Sequence, residues 1–322
     1  MRRRWTPLLL AASALAAPGC DHEPVGPTSD TDPVRTLLIH RQDTGENLLL
    51  DTDGTLAGEF GQATRGMLPI ATHAGEGTAV LLAGSAIVLT SLSDPEQLDT
   101  IIRAAPASQS LATFSASGLL VAIVAYAPTP GLLLIYDRAN RRVDTLSLSG
   151  ADPVLPPMFS PDDTQIALVS LTDLSIVVTV VPLANPASAT TRPIAVSRFT
   201  NRLIFGWPQW GEDGLRLAFR RVAEVGTDTL LVGVVNPTIQ GAQLDERFRA
   251  LLAPAGDPER EVAFVDASTY ALTTDGTALA LGAVPGNGAP HGVYILTETM
   301  TRIRPLLDAA GQYPVFPLFI RE

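Results

Sequence analysis

The 322-residue chain contains no lysine; all 22 of its basic residues are arginine. That excludes Schiff-base chemistry on a lysine and the phosphate-binding loop that requires one. A single cysteine excludes an internal disulfide framework and any cysteine-built zinc or iron–sulfur cage. The four histidines are scattered and show no metal-ligand spacing, so no metal and no cofactor are expected. Positive charge is also in deficit. Thirty-three acids leave a formal net charge of −11, which argues against nucleic-acid binding through bulk charge. No nucleophile elbow, His-Glu-x-x-His pair or glycine-rich phosphate loop occurs in the sequence.

What is abundant is glycine and proline, 26 of each. Proline breaks helix interiors and glycine weakens them, so a mainly helical protein is excluded. The 46% hydrophobic content excludes a disordered chain.

The N-terminus reads as an export signal. Arg2, Arg3 and Arg4 form a positive segment, and Trp5 to Ala17 form an apolar stretch too short to span a membrane. Cys20 follows the small residues Ala17-Pro18-Gly19, an arrangement that resembles the bacterial lipoprotein signal. The resemblance implies that residues 1–19 are removed, that Cys20 is acylated, and that the protein is held to a membrane of the cell envelope, facing the periplasm or the exterior. The alternative is plain secretion with cleavage after Ala16. Cys20 would then be an unpaired thiol in an oxidising compartment, an unusual situation. Residues 20–33 follow, with Asp21, Glu23, Asp30 and Asp32 interspersed with Pro24, Pro27 and Pro33 and no apolar periodicity. They read as a tether.

Residues 34–322 carry a repeat. Its frame is proline, any residue, an aromatic, two spacers, an acid–glycine turn, two spacers, then apolar-Ala-apolar. Pro208 to Phe219 is the clearest copy. Pro157 to Leu168, Phe114 to Ile123 and Leu272 to Leu281 fit the frame, and His73 to Leu82 fits it more loosely. The turn positions 77, 118, 163, 214 and 276 are separated by 41, 45, 51 and 62 residues, near the period of a four-stranded propeller blade. Each copy continues with short Val-, Ile- and Leu-rich runs bounded by turn residues: strand punctuation. A sixth copy begins at Pro314-Val315-Phe316 but lacks its later strands. Val34 to His40, Leu48 to Leu50 and Leu56 to Phe60 supply them, joining the first and last blades. The expected fold class is all-β: a six-bladed β-propeller of four-stranded antiparallel blades, its ring closed by N-terminal strands plus a C-terminal one.

Phe159-Ser160-Pro161-Asp162 and Trp210-Gly211-Glu212-Asp213-Gly214 resemble the Ser-Pro-Asp-Gly repeat of TolB-like, WD-like propellers. Leu132 to Asp137 resembles the strand ending in Asp that follows in those repeats. The resemblance implies a fold and leaves function open.

Within that frame, binding residues are sought on the loops between second and third strands, which share one face and adjoin the channel mouth. They carry Arg41, Asp43, Tyr126, Asp173, Arg221, Glu224 and His291. The stretch 236–260 reads as an insertion that could be a lid, a partner arm or a solvated loop. Arg138 to Arg142 and Arg220-Arg221 read as solvated charge or, more sharply, as recognition of an acidic partner. Asp51-Thr52-Asp53-Gly54 reads as a turn and not a calcium loop. Gly286 to Gly292 reads as a loop. His73 takes an aromatic slot of the frame as a packed hairpin residue, Trp210 is assigned to blade packing, and Trp207 has no place in the frame. The functional expectation is a rigid binding or scaffold module for a protein, peptide or glycan. The alternative is a propeller hydrolase or lyase with acids at the channel mouth.

Overall fold

The computed structural model describes residues 34–103, 110–125, 131–148, 152–172, 175–195, 202–203, 205–222, 228–235, 245–252, 264–285, 291–297, 304–311 and 315–321. The propeller lies within the unit Pro33–Glu322. Its strands are β1 (Thr36–Arg41), β2 (Asn47–Asp51), β3 (Leu56–Glu59), β4 (Leu68–His73), β5 (Thr78–Ala83), β6 (Ala86–Ser91) and β7 (Leu98–Ile102). Next come β8 (Ser110–Phe114), β9 (Leu120–Ala125), β10 (Leu132–Asp137), β11 (Arg142–Ser147), β12 (Met158–Phe159), β13 (Gln165–Thr172), β14 (Ser175–Pro182) and β15 (Thr190–Ala195). The remainder are β16 (Arg202–Leu203), β17 (Phe205–Trp207), β18 (Gln209–Gly211), β19 (Gly214–Val222), β20 (Asp228–Val235), β21 (Asp245–Leu252), β22 (Phe264–Leu272), β23 (Ala278–Pro285), β24 (His291–Thr297), β25 (Arg304–Gly311) and β26 (Val315–Arg321).

These strands form six sheets. Blade 1 is β4–β7, blade 2 β8–β11, blade 3 β12–β15, blade 4 is built on β19–β21, blade 5 on β22–β25, and blade 6 has the order β26-β1-β2-β3. Blade 6 is the composite blade expected from the incomplete terminal repeats: β26 pairs antiparallel with β1 from Arg41↔Val315 to Thr36↔Arg321. Pairing the two ends of the chain removes the sheet edge that an open arc would expose. The stretch 236–260 is no simple insertion, because β21 within it pairs with β20 as the outer strand of blade 4.

The repeat has a local chemical cause. All five frame turns have positive φ at the predicted position: Gly77, Gly118, Asp163, Gly214 and Gly276. A hydroxyl two residues before an acid closes the turn. Ser160 Oγ donates to Asp162 at 2.6 Å and accepts from the Gln165 N–H at 3.0 Å. Thr273 Oγ1 does the same with Asp275 at 2.7 Å and the Ala278 N–H at 3.0 Å. Ser160 and Thr164 therefore hold the Asp162 carboxyl below its ordinary pKa. The Ser-Pro-Asp signature is thus a self-capping hairpin, with side-chain oxygens standing in for backbone partners.

The core lies between neighbouring blades, where sheets pack face to face. Blades 1 and 2 share the cluster containing Ile70, Val80, Phe114 and Ile123. Equivalent clusters join blades 2 and 3, 3 and 4, and 5 and 6. The frame alanines Ala122, Ala167, Ala218 and Ala280 are fully buried, as expected for the crowded centre of each blade.

Blade 4 departs from the frame. Both β16 and β18 pair with β19, and between them the chain swings out of the blade. The diverted residues form β17, which pairs parallel to the inner strand β22 of blade 5 on its channel side. Gly206 is required there. A Cβ at this position would lie 2.3 Å from the Tyr270 carbonyl oxygen and 2.4 Å from its ring. The next residue, Trp207, is 6% exposed and packs with Leu38, Phe60 and Leu318. Its indole N–H donates to the Ile70 carbonyl of blade 1, at 2.5 Å. A bulge between Pro69 and Ala71 leaves Ile70 without a register partner in β5.

Candidate functional site

A cavity of about 770 Å³ lies at the centre of the ring. Every blade's inner strand contributes to it: Ala71 to His73, Thr113 and Phe114, and Ala271 and Leu272 from the C-terminal ends of β4, β8 and β22, all of β12 and β18, and Leu318 and Phe319 from the middle of β26. Trp207 lines this axial cup, and its indole reaches across to the Ile70 carbonyl of blade 1. The turns between first and second strands crown this mouth face.

Side chains tie those turns from blade to blade. His73 Nδ1 accepts from the Glu76 N–H at 2.9 Å, which leaves Nε2 to donate to the Ala116 carbonyl of blade 2 at 3.1 Å. Its ring meets Phe114 edge-on at 5.7 Å, so the packed-hairpin reading of His73 holds. Asp163 of blade 3 accepts from the Ala116 and Ser117 N–H groups at 2.7 and 3.0 Å. Gly118 serves close approach as well as its turn, since a Cβ there would lie 2.3 Å from Glu76 Cγ. Arg216 of blade 4 donates to the Thr274 carbonyl of blade 5 at 3.3 Å and lies 3.1 Å from Asp213. Gln209 donates to the Leu272 carbonyl at 3.3 Å, and Thr72 to the Phe319 carbonyl at 2.6 Å.

The rim is acidic. Glu212, Asp213 and Asp275 are exposed, whereas the cation among them, Arg216, is 8% exposed. Burial pushes the Asp275 carboxyl up, but bonds from Thr273 and Thr277 together with the field of Arg35 outweigh it, leaving the pKa below its ordinary value. That carboxyl stays ionised near neutrality, unlike the proton-donating acid of a glycosidase. Among the described residues no group of three or more His, Cys, Asp or Glu could hold a metal ion. Trp210 is half-buried: it packs against the core of blades 3 and 4 and also lines the cavity, so its role is wider than packing.

Arg41 and Asp43 stand at the opposite end of the strands from the cavity, beside the start of β26. Arg41 pairs with Asp43 at 3.3 Å and with Glu46 at 3.4 Å, and Arg65 joins Glu46 at 3.3 Å. Arg221 and His291 fall within β19 and β24, paired to Thr229 and Gly311, and so are strand and not loop residues. Cys20, Tyr126, Asp173 and Glu224 lie outside the described residues. The Arg138–Arg142 cluster is internally satisfied. Arg138 bonds Gly118 and Thr78 and faces the Phe114 ring, Arg141 pairs with Asp99, and Arg142 with Asp144. The mouth residues were missed because they are the repeat's own turn residues, whose chemistry is already accounted for by the hairpins. The Asp51–Gly54 segment is the β2–β3 turn, with the Gly54 N–H donating to the Asp51 carbonyl at 2.9 Å.

The fold and this axial site define a six-bladed β-propeller with TolB-like topology. A protein described as a TolB from Agrobacterium tumefaciens has a similar structure, with 12% identity, a TM-score of 0.51, and 89% of this chain and 91% of that one covered. A chain of a nidogen/laminin complex matches with 11% identity, a TM-score of 0.57, and 87% and 96% coverage. A functionally unknown protein from Desulfotomaculum acetoxidans DSM 771 matches with 11% identity, a TM-score of 0.53, and 89% and 99% coverage. At such identities the likeness is one of fold. No protein-family model and no curated protein matches the sequence.

Proposed function

We propose that the chain is an exported binding module, tethered to an envelope membrane through acylated Cys20. Its propeller holds part of a protein, peptide or glycan partner in the axial cup. Residues 1–19 are the removed signal, 20–33 the tether and 34–322 the module. The observation that carries this reading is the cup itself. It has a volume typical of ligand sites, an acidic rim and aromatic walls. The rigid ring supplies pre-organisation, which lowers the entropic cost of capture.

Two experiments test it separately. Intact-mass spectrometry of the membrane fraction, beside a Cys20→Ser control, should show a chain beginning at Cys20 with added acyl mass. A soluble chain beginning at Ala17 defeats the tether. Peptide and glycan arrays probed with the protein should give binders that are lost in Trp210→Ala and Glu212→Gln. Binders that survive both changes place recognition elsewhere.

A further inference from the structure

The charge around the cup has one sign. The turns from first to second strand in blades 1 to 5 carry Glu76, Asp162, Asp163, Glu212, Asp213 and Asp275, and no arginine. Arg35, Arg138 and Arg216 border these turns, and each is engaged within the ring. Arg35 is buried and donates to Thr277 Oγ1 at 3.0 Å. Arg138 bonds the Gly118 carbonyl and Thr78 and lies 3.8 Å from Glu76. Arg216 reaches Asp213 and the Thr274 carbonyl. Glu76 and Asp213 thus have counter-ions. Asp162 is held by Ser160 and Thr164, Asp163 by two N–H groups of blade 2, and Asp275 by Thr273 and Thr277 in the field of Arg35. Neutral donors fix a carboxylate without cancelling its charge. Glu212, exposed beside Trp210, makes no hydrogen bond or ion pair among the described residues. The walls below are aromatic: Phe114, Phe159, Trp207, Trp210 and Phe319 line the cavity. Aromatic faces attract cations, and this ring already shows the pairing, with Arg138 5.9 Å over Phe114. The carboxylates are spread round the turns, and among the described residues no three of them gather to hold a metal ion.

We infer that the partner of the cup is a protein segment of positive charge, which sets an arginine or lysine side chain against Trp210 and Glu212. The inference rests on the cup being the binding site, as proposed above, and gives its ligand a chemical class. Glu212 supplies an unengaged counter-charge, and Trp210 supplies a π face beside it. At about 770 Å³ the cup exceeds one side chain and admits the residues that flank it, which favours a peptide segment over a small free cation. The net charge of −11 steers a basic partner toward the chain, and the rim repels an acidic peptide or an anionic glycan.

The probes are end-capped, dye-labelled tetrapeptides of arginine, lysine, serine or glutamate. They are titrated with the full chain in neutral detergent at low salt and read by fluorescence anisotropy. The arginine and lysine probes should bind at least about tenfold more tightly than the other two. Glu212→Gln should weaken them about two- to fivefold, and Trp210→Leu about two- to tenfold. Glu212 is exposed and unbonded, so its substitution leaves folding intact. Asp275→Asn keeps an Oδ1 for the Thr273 and Thr277 bonds and should act as Glu212→Gln does. Glu59→Gln removes one exposed carboxylate from β3, away from the cavity lining, and should change nothing. No preference for the basic probes overturns the inference. Equal weakening by Glu59→Gln and Glu212→Gln also overturns it, because attraction to the chain's overall charge then explains the binding. Spermidine bound as tightly as the arginine probe assigns the cup to a free polyamine and removes the protein partner. Neutral or acidic binders from the arrays that are lost in Trp210→Ala refute the charge assignment and leave the cup standing. Basic binders that survive Trp210→Ala defeat the cup itself.

Discussion

Replacing Gly206 by alanine should be one of the most damaging small changes available in this protein. At an unstrained position, Gly→Ala ordinarily stabilises by about 0.4–1 kcal/mol through the unfolded state. Gly206 has no positive φ to forbid a side chain, so backbone conformation alone predicts that ordinary gain. Space predicts the opposite. The new methyl would sit 2.3 Å from a backbone carbonyl and 2.4 and 2.7 Å from the ring of fully buried Tyr270, and β22 is fixed by its pairing with β23. Strand β17 must therefore leave its seat. Its departure breaks the indole bond to Ile70, leaving a carbonyl unsatisfied at about 1–3 kcal/mol, and loosens the packing of Trp207 on Leu38, Phe60 and Leu318. Complete loss of a buried Trp costs about 3–5 kcal/mol, so Gly206→Ala should approach Trp207→Ala at about 3–5 kcal/mol. Trp207→Phe, which keeps the packing and loses the donor, should cost about 1–3 kcal/mol. With a urea m-value near 3 kcal/mol/M, the Gly206→Ala midpoint should fall by about 1–1.7 M. The assay is equilibrium urea unfolding followed by far-UV dichroism and by tryptophan fluorescence. A neutral or stabilising Gly206→Ala would refute the seating of β17 against β22 in the channel.

Asp163 occupies left-handed backbone, φ 57°, while its carboxylate bonds two N–H groups of blade 2. Asp163→Ala loses the bonds and keeps the strain, whereas Asp163→Gly loses the bonds and relieves it. Thermal denaturation should therefore rank Gly above Ala by about 1 kcal/mol, and equal values refute the strain argument. Thr72→Val removes the donor to the Phe319 carbonyl and should loosen the junction of blades 6 and 1 by about 1–2 kcal/mol; urea unfolding indistinguishable from wild type would show that the closure does not need it. His40 is buried against Asn47 at 2.8 Å, and burial lowers its pKa below 6.5, the hydrogen bond opposing more weakly. The unfolded chain thus takes up the proton first. The contribution of His40 is fully favourable above pH 6.5 and is lost as pH falls from there toward the folded-state pKa, with a slope of at most about 1.4 kcal/mol per pH unit. Urea titrations from pH 7.5 to 5 should show that decline, and His40→Gln should flatten it; a slope unchanged by the substitution assigns the decline to other groups.

The sequence carried the fold because the propeller's signals are local and repeated. Each turn must solve the same problem, a tight hairpin at positive φ, and the acid–glycine and Ser-x-Asp patterns solve it with residues adjacent in the chain. Five copies in one frame fixed the blade count, and the incomplete copies at either end fixed the closure through blade 6. The fully buried frame alanines of blades 2 to 5 were legible for the same reason: sheet packing favours a small residue at that place in the frame, which in blade 1 is taken by the fully buried Leu81.

The site was not legible in that way. Which loop face bears the cavity depends on the common direction of six inner strands, a property no single repeat displays. Thus Arg41 and Asp43, chosen from one set of loops, stand at the far end of the strands from the cup that Glu212, Trp210 and Asp275 border. The course of β17 was equally hidden. Nothing near Trp207 announces that β17 leaves blade 4 for the edge of β22, because the reasons lie 63 or more residues away, in the Tyr270 ring that needs Gly206 and in the bulge that frees the Ile70 carbonyl. Local chemistry set the blades and their number. Long-range packing alone decided where β17 seats in the channel and which turns border the cavity.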